Sequence, residues 1–206
     1  MKIFRFSHLL SYNQYISFQE KARKKRLESI FFLEHPPTIT AGTSFQEKNL
    51  LFSTLELKQK GVELYYTKRG GDFTAHEPGQ LVVYPHIDLK KRNISVIDFI
   101  GFFRLSIGEC LQEIWDLSVV DKKESPGLYI ANEPEKKIVS FGIYFKSFFT
   151  SFGASINIGN TLETFQTINP CGGKYENIVS IQKLGLDISK KEKLIFLLSE
   201  KLNQRF

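Results

Sequence analysis

The chain of 206 residues is poor in cysteine, with only Cys110 and Cys171, and two thiols cannot build a disulfide framework. Its opening, MKIFRFSHLLSYNQY, has neither a long apolar core nor a small-residue cleavage site, so an unprocessed chain with reduced thiols in the cytoplasm is expected. No run approaches the roughly 18 apolar residues of a membrane-spanning helix, which predicts a soluble protein. Cysteine, histidine and carboxylate side chains nowhere gather at zinc-ligand spacing. The phosphate-loop pattern GxxxxGK followed by Ser or Thr is also missing, so no metal, nucleotide or other cofactor is implied. Repeats, low-complexity tracts and Gly/Ser-rich or Pro-rich linkers are lacking too. With 42% hydrophobic residues, the expectation is one domain over residues 1–206.

Positive charge is in excess. Lys and Arg number 28 against 22 Asp and Glu, for a net charge of +6 and an isoelectric point near 9.2. Such a surface favours encounter with an acidic partner, whether nucleic acid, membrane surface or acidic protein, and charge alone does not choose among them.

Apolar, β-favouring runs recur at SIFFLEH, VELYYTK, QLVVYPHIDL, GLYIAN, KIVSFGIYF and SFGASINI, most bounded by Gly, Pro or Asn, and read as strands. Glu133, Pro134 and Glu135 form a polar break that predicts a hairpin, with Lys137 opening its second strand. From Ser95 to Leu117, Val96, Ile100, Phe103, Ile107, Leu111 and Ile114 recur every three or four residues behind a Ser95/Asp98 cap, the pattern of an amphipathic helix. A closing helix is predicted from Ser189, capped through Glu192, and a third over residues 12–28 with the KARKKR run facing solvent. Strands and helices mix without strict alternation, which indicates an α+β fold with some antiparallel pairing.

Two stretches carry candidate chemistry. RGGDFTAHEPGQLVVYP, residues 69–85, packs three glycines, Arg69 and His76 between apolar strands, more special residues than a turn requires. Glycines let backbone amides approach a ligand, and Arg69 can offer a planar fork to an oxygen-bearing group. In INPCGG, residues 168–173, Pro170, Gly172 and Gly173 leave Cys171 open on a loop, whereas Cys110 falls on the apolar stripe of the long helix and reads as inert. A nucleophilic thiol needs a neighbouring base or cation, because its reference pKa is about 8.5. His8, His35, His76, His86 and several lysines compete for that role, and spacing does not decide among them. His35 and His86, each beside a proline, read as structural.

The strings LEHPPTITAG, RGGDFTAHEPGQLVVYPHIDL, GLYIANEPEKKIVSFGI and NPCGG, in this order over most of the chain, resemble the octanoyltransferases of lipoate biosynthesis, also called lipoyl(octanoyl) transferases. Their glycine loop is similar to RGGxxTxHxPGQLVxYP. The resemblance implies a mixed, largely antiparallel sheet with packed helices, as in the biotin and lipoate protein ligases. It implies an acyltransferase that moves octanoate from the thioester of acyl carrier protein to a lysine of a lipoyl domain, whether in 2-oxoacid dehydrogenase complexes or in the H protein of glycine cleavage. It requires no cofactor, nucleic acid or membrane.

By the same resemblance Cys171 is the nucleophile that holds the acyl group as a thioester, and Lys137 is its base, which demands desolvation of that lysine. Substrate contacts are implied at Arg69, Gly70, Gly71, Asp72, Phe73, Thr74, Ala75 and His76, at Ser140, Phe141 and Gly142, and at Gly153, Ala154 and Ser155. Two departures stand out. Phe152 replaces a histidine common before the Gly-x-Ala-x-x-Asn segment, and Glu77 adds a charge beside the substrate loop. The rival readings are an ATP-dependent ligase on the same fold and a non-catalytic basic binding module.

Overall fold

The computed structural model describes residues 1–122, 126–170 and 173–206. Among these, the strands form two sheets. The larger contains β1 (Lys2–Arg5), β2 (Ser29–Leu33), β6 (Gln80–His86), β7 (Val119–Asp121), β8 (Gly127–Ile130), β9 (Glu133–Lys146) and β10 (Phe149–Asn157), in the order β1-β2-β6-β10-β9-β8-β7. Only β1 and β2 run parallel in it. The smaller sheet places β3 (Thr38–Ala41) between β4 (Glu63–Tyr66), parallel to it, and β5 (Phe73–His76), antiparallel. The architecture is therefore the mixed, largely antiparallel α+β fold expected from the sequence.

One face of the larger sheet is covered by the two long helices, α4 (Val96–Trp115) and α5 (Lys191–Arg205). The α4 stripe of Phe99, Phe103, Ile107, Cys110 and Leu111 is fully buried, and each such side chain contributes about 1.5–3 kcal/mol through removal from water. Ser95 caps α4 by accepting from the Asp98 amide at 3.0 Å, as its sequence predicts. On the opposite face lies α1 (Tyr12–Lys25), which buries Tyr12, Tyr15, Gln19 and Ala22 and leaves Lys21, Lys24 and Lys25 exposed. A short helix, α2 (Thr54–Gln59), packs beside the smaller sheet, and another, α3 (Leu89–Arg92), follows β6.

Three details depart from the sequence reading. The β8–β9 turn is Ala131–Asn132, so Glu133, Pro134 and Glu135 are already in β9 and Lys137 is its fifth residue. Pro134 is tolerated because β10 first meets β9 at Val139, leaving only one ladder to satisfy there. Helix α5 begins after a 3₁₀ turn that Asp187 caps through the Ser189 amide, so Ser189 is not the cap. The expected loop of residues 69–79 contains β5, because its alternating Phe73 and Ala75 fill the core of the smaller sheet.

The structural reading of two histidines holds. His35 donates from Nδ1 to Leu10 O at 2.6 Å and meets Tyr84 Oη at 3.2 Å through Nε2, while His86 meets Tyr15 Oη and Ser29 Oγ, each at 3.4 Å. Burial pushes His35 down to about 4 and His86 to about 3. Both values lie below the unfolded value of about 6.5, so as pH falls the unfolded chain takes up protons first. Their contribution to stability is complete above about pH 6.5 and is lost as pH falls towards the folded values. By pH 4.5 the loss is on the order of 2–3 kcal/mol for each. The urea midpoint is expected to drop over this range while the two rings stay neutral by NMR to below pH 5. Rings that titrate near 6.5 in the folded protein would contradict this.

Candidate active site

The glycine loop is closed by its own arginine. Buried Arg69 donates from Nε to Thr40 Oγ1 at 2.9 Å, from Nη1 to Gly70 O at 3.0 Å, and from Nη2 to Asp72 O at 2.8 Å and to Thr40 O. Asp72 turns away from the loop and accepts from the Gln46 amide at 3.0 Å and from Asn49 Nδ2 at 2.5 Å. Gly42 makes this closure possible, since a Cβ there would overlap Gly71 O. The loop then reaches the edge of β9, where the Gly70 amide donates to Ile143 O at 3.1 Å.

Between this loop and the larger sheet lies a cavity of about 230 Å³. The sheet keeps it open with small residues. Gly127, Ser140 and Ser155 form one cross-strand row over β8, β9 and β10, and Gly142 faces Gly153 two residues further along. Phe141 and Ala154 belong to the helix-facing side of the sheet and still border the cavity. From the loop, Arg69, Gly70, Gly71, Asp72, Phe73, Thr74 and His76 contribute walls. Ala75 does not: it packs wholly into the core of the smaller sheet, whereas the larger Phe73 ring, on the same side of β5, also reaches the cavity. Thr74 Oγ1 is buried without a hydrogen-bond partner among the described residues, a group able to meet a bound substrate.

His76 is held neutral, its pKa kept well below the ordinary value by burial first and by His35 and Arg69 nearby. Gln80 fixes its tautomer. The Gln80 amide donates to Ala75 O at 3.2 Å and to Asn157 Oδ1 at 2.9 Å, which leaves its oxygen to accept from His76 Nδ1 at 2.8 Å. The remaining ring nitrogen, Nε2, can then only accept. Glu77 adds no charge to the cavity. It turns the other way and accepts from the Thr164 amide at 2.8 Å, the Asn160 side chain at 3.1 Å and the Leu162 amide.

Lys137 lines the cavity at 6% exposure. Its side chain runs across Gly127, where a Cβ would collide with Lys137 Cε and lie 3.0 Å from Nζ, and Nζ stands 5.5 Å from the Tyr129 ring centroid. Pro170 borders the same cavity, immediately before Cys171, which lies outside the described residues. Cys110 is the inert thiol expected, buried in the helix layer with its pKa pushed up to about 12. Tyr84, Ile100, Arg104, Pro126, Ile143, Phe145 and Phe152 also border the cavity. Of these, Tyr84 and Ile143 lie inside the strings that resemble the family and Phe152 is a departure from its pattern, but none is singled out by the sequence as a cavity residue.

Residues 8–193 match the family model of the lipoyl protein ligase A/B catalytic domain. A protein of Leptospira interrogans serovar copenhageni named octanoyltransferase is 47% identical over 204 residues, covering 98% of this chain and 94% of that protein. Another of the same name, from Desulforamulus reducens, is 33% identical over 180 residues, covering 85% and 78%. Among solved structures, the crystal structure of lipoate-protein ligase A bound with ATP aligns with a TM-score of 0.75 at 16% identity, over 98% of this chain and 86% of that one. The biotin protein ligase from Aquifex aeolicus in complex with biotin and ATP aligns with a TM-score of 0.60 at 14% identity, over 99% and 69%. At these identities the two ligases share the fold alone. The relatives at 47% and 33% identity carry the closer relationship: the chain belongs to the octanoyltransferases of the lipoyl protein ligase A/B catalytic-domain family.

Proposed function

We propose that this protein transfers an octanoyl group from the thioester of an acyl carrier protein to a lysine of a lipoyl domain, through an acyl thioester on Cys171, acting in the cytoplasm as one catalytic unit over residues 1–206. The observation that carries this reading is a buried lysine, Lys137, on the wall of a cavity that also receives Pro170, the residue before Cys171. Burial strips water from an ammonium group and so favours the neutral amine that a base requires.

In the first half, Lys137 takes the Cys171 proton, the thiolate attacks the carrier-bound carbonyl carbon, and the carrier sulfur leaves with that proton. In the second, an acceptor lysine that has given one proton to solvent attacks the acyl-enzyme. The Cys171–acyl bond breaks, one of the two remaining amine protons passes by way of Lys137 to the departing sulfur, and the other stays on the amide nitrogen. A thioester is already activated relative to an amide, so neither half requires ATP, which separates this reading from a ligase of the same fold. The residues proposed to meet the substrate are those implied by the resemblance and bordering the cavity, from Arg69 to Thr74 with His76, Ser140 to Gly142, and Gly153 to Ser155. Exposed Lys21, Lys24 and Lys25 on α1 suit an acidic carrier or lipoyl domain.

Mixed with octanoyl carrier protein in the absence of ATP, the protein is expected to gain one octanoyl mass, and Cys171→Ala and Lys137→Met are expected to lose the adduct. An adduct that survives Cys171→Ala overturns the mechanism. Gly127→Ala pushes the Lys137 amine out of its slot, and a displacement near 1 Å costs about 10²-fold in rate. Single-turnover acylation by Gly127→Ala is therefore expected to slow on that scale while carrier affinity stays within a few-fold. A wild-type rate in this variant would show that the slot does not matter.

A further inference from the structure

Phe152 stands at a break in the sheet that the sequence itself dictates. β10 and β6 are in register from Asn157 and Gln80 to Ala154 and Val83, and continuing that register sets Phe152 opposite Pro85. Proline has no N–H to extend the ladder. There the β6–β10 ladder is interrupted without a change of register, Phe152 adopts a φ of 59°, and its amide donates to Tyr15 Oη at 3.1 Å instead. A non-glycine residue in this left-handed region redirects its side chain relative to the pleat of its neighbours. The Phe152 ring leaves the helix-facing side and packs in the cluster of Tyr12, Tyr15 and Tyr84, with the Tyr12 ring parallel at 6.4 Å.

At 3% exposure, that ring borders two spaces at once: the 230 Å³ cavity, and a cleft of about 320 Å³ beyond it whose walls include Tyr12, Tyr65 and Tyr144. No other side chain borders both among the described residues. The reacting end of the cavity can be placed along the strands. The Lys137 amine lies over Gly127, which is level with Ser140 of β9, and Phe152 is level with Ile143. Three residues of strand separate the two levels, about 10 Å. An extended eight-carbon chain, built from carbon–carbon bonds near 1.5 Å, spans about 9 Å.

We propose that the Phe152 ring is the end wall of the acyl cavity and limits the transferred chain to about eight carbons. The inference rests on the acyl-transfer reading above and adds the residue that sets substrate length. Removing the ring joins the cavity to the cleft behind it, so longer chains gain room in the direction they already point.

The test measures acyl-adduct formation by intact mass spectrometry with octanoyl, decanoyl, dodecanoyl and tetradecanoyl carrier protein. It compares wild type with Phe152→Leu, which keeps apolar volume for folding, and Phe152→Gly, which the left-handed backbone accepts without strain. Ile100→Ala, which opens the cavity on its other side, serves as the control. The ratio of dodecanoyl to octanoyl rates is expected to rise about 10-fold or more in Phe152→Gly, by a smaller factor in Phe152→Leu, and to stay near the wild-type value in Ile100→Ala. An adduct on the wild type with an unchanged ratio in both Phe152 variants overturns the wall alone. Longer chains admitted by Ile100→Ala but by neither Phe152 variant place the wall elsewhere and overturn it too. No octanoyl adduct on the wild type overturns the acyl-transfer reading, and the wall with it.

Discussion

The site is organised by one buried guanidinium. Arg69 gathers the backbone oxygens of Thr40, Gly70 and Asp72 and the Thr40 hydroxyl around a single cation. Hydrogen bonds from a charged donor are about twice as strong as neutral ones, and a buried one left unmade is costly. The glycine loop is thereby fixed against the smaller sheet, and the Gly70 amide meets the exposed edge of β9. The arginine that a sequence reading offers to a substrate also shapes the space the substrate would enter.

That space exists because side chains are withheld on the opposite wall. Gly127 leaves the path along which Lys137 is laid, and Gly142 and Gly153 face one another where any larger pair would fill the gap. A Cβ at 153 would overlap Val83 O, and one at 142 would lie 2.7 Å from Arg69 Cδ. The same row of small residues thus lets the arginine approach the sheet and leaves a cavity beside it. Around it the polar groups are tied down: Gln80 fixes His76, and Glu77 holds the segment from Asn160 to Thr164.

Much of this was legible in the sequence, and the losses have physical causes. The helix over residues 96–115 was plain because its apolar period and its Ser95 cap agree, and local interactions suffice to write both. β3 and β5 were hidden because TITA and FTAH are short, and the latter sits among glycines that argue for a loop. Ala75 belongs to the same motif as the cavity residues around it, yet its small side chain ends in the core of the smaller sheet, which only the folded strand reveals. The packing of Lys137 on Gly127 depends on a register that two irregularities in the β8–β9 ladder displace, which no single segment encodes. The turn of Phe152 likewise depends on Pro85, a residue 67 positions earlier that only the paired strands bring opposite. The roles proposed for Cys171 and Lys137 rest on the family resemblance, whereas the fold explains why a lysine can be buried at that place.

The central claim, that Lys137 ionises Cys171, is tested most directly by the pH dependence of Cys171 alkylation by iodoacetamide, read by mass spectrometry of the modified peptide. Cys110 does not compete, since burial pushes its thiol up to about 12. In the wild type the rate is predicted to reach its plateau at least about one pH unit lower than in Lys137→Met, because the thiolate is stabilised by the ammonium that its own proton creates. Identical profiles for the two proteins would contradict the account.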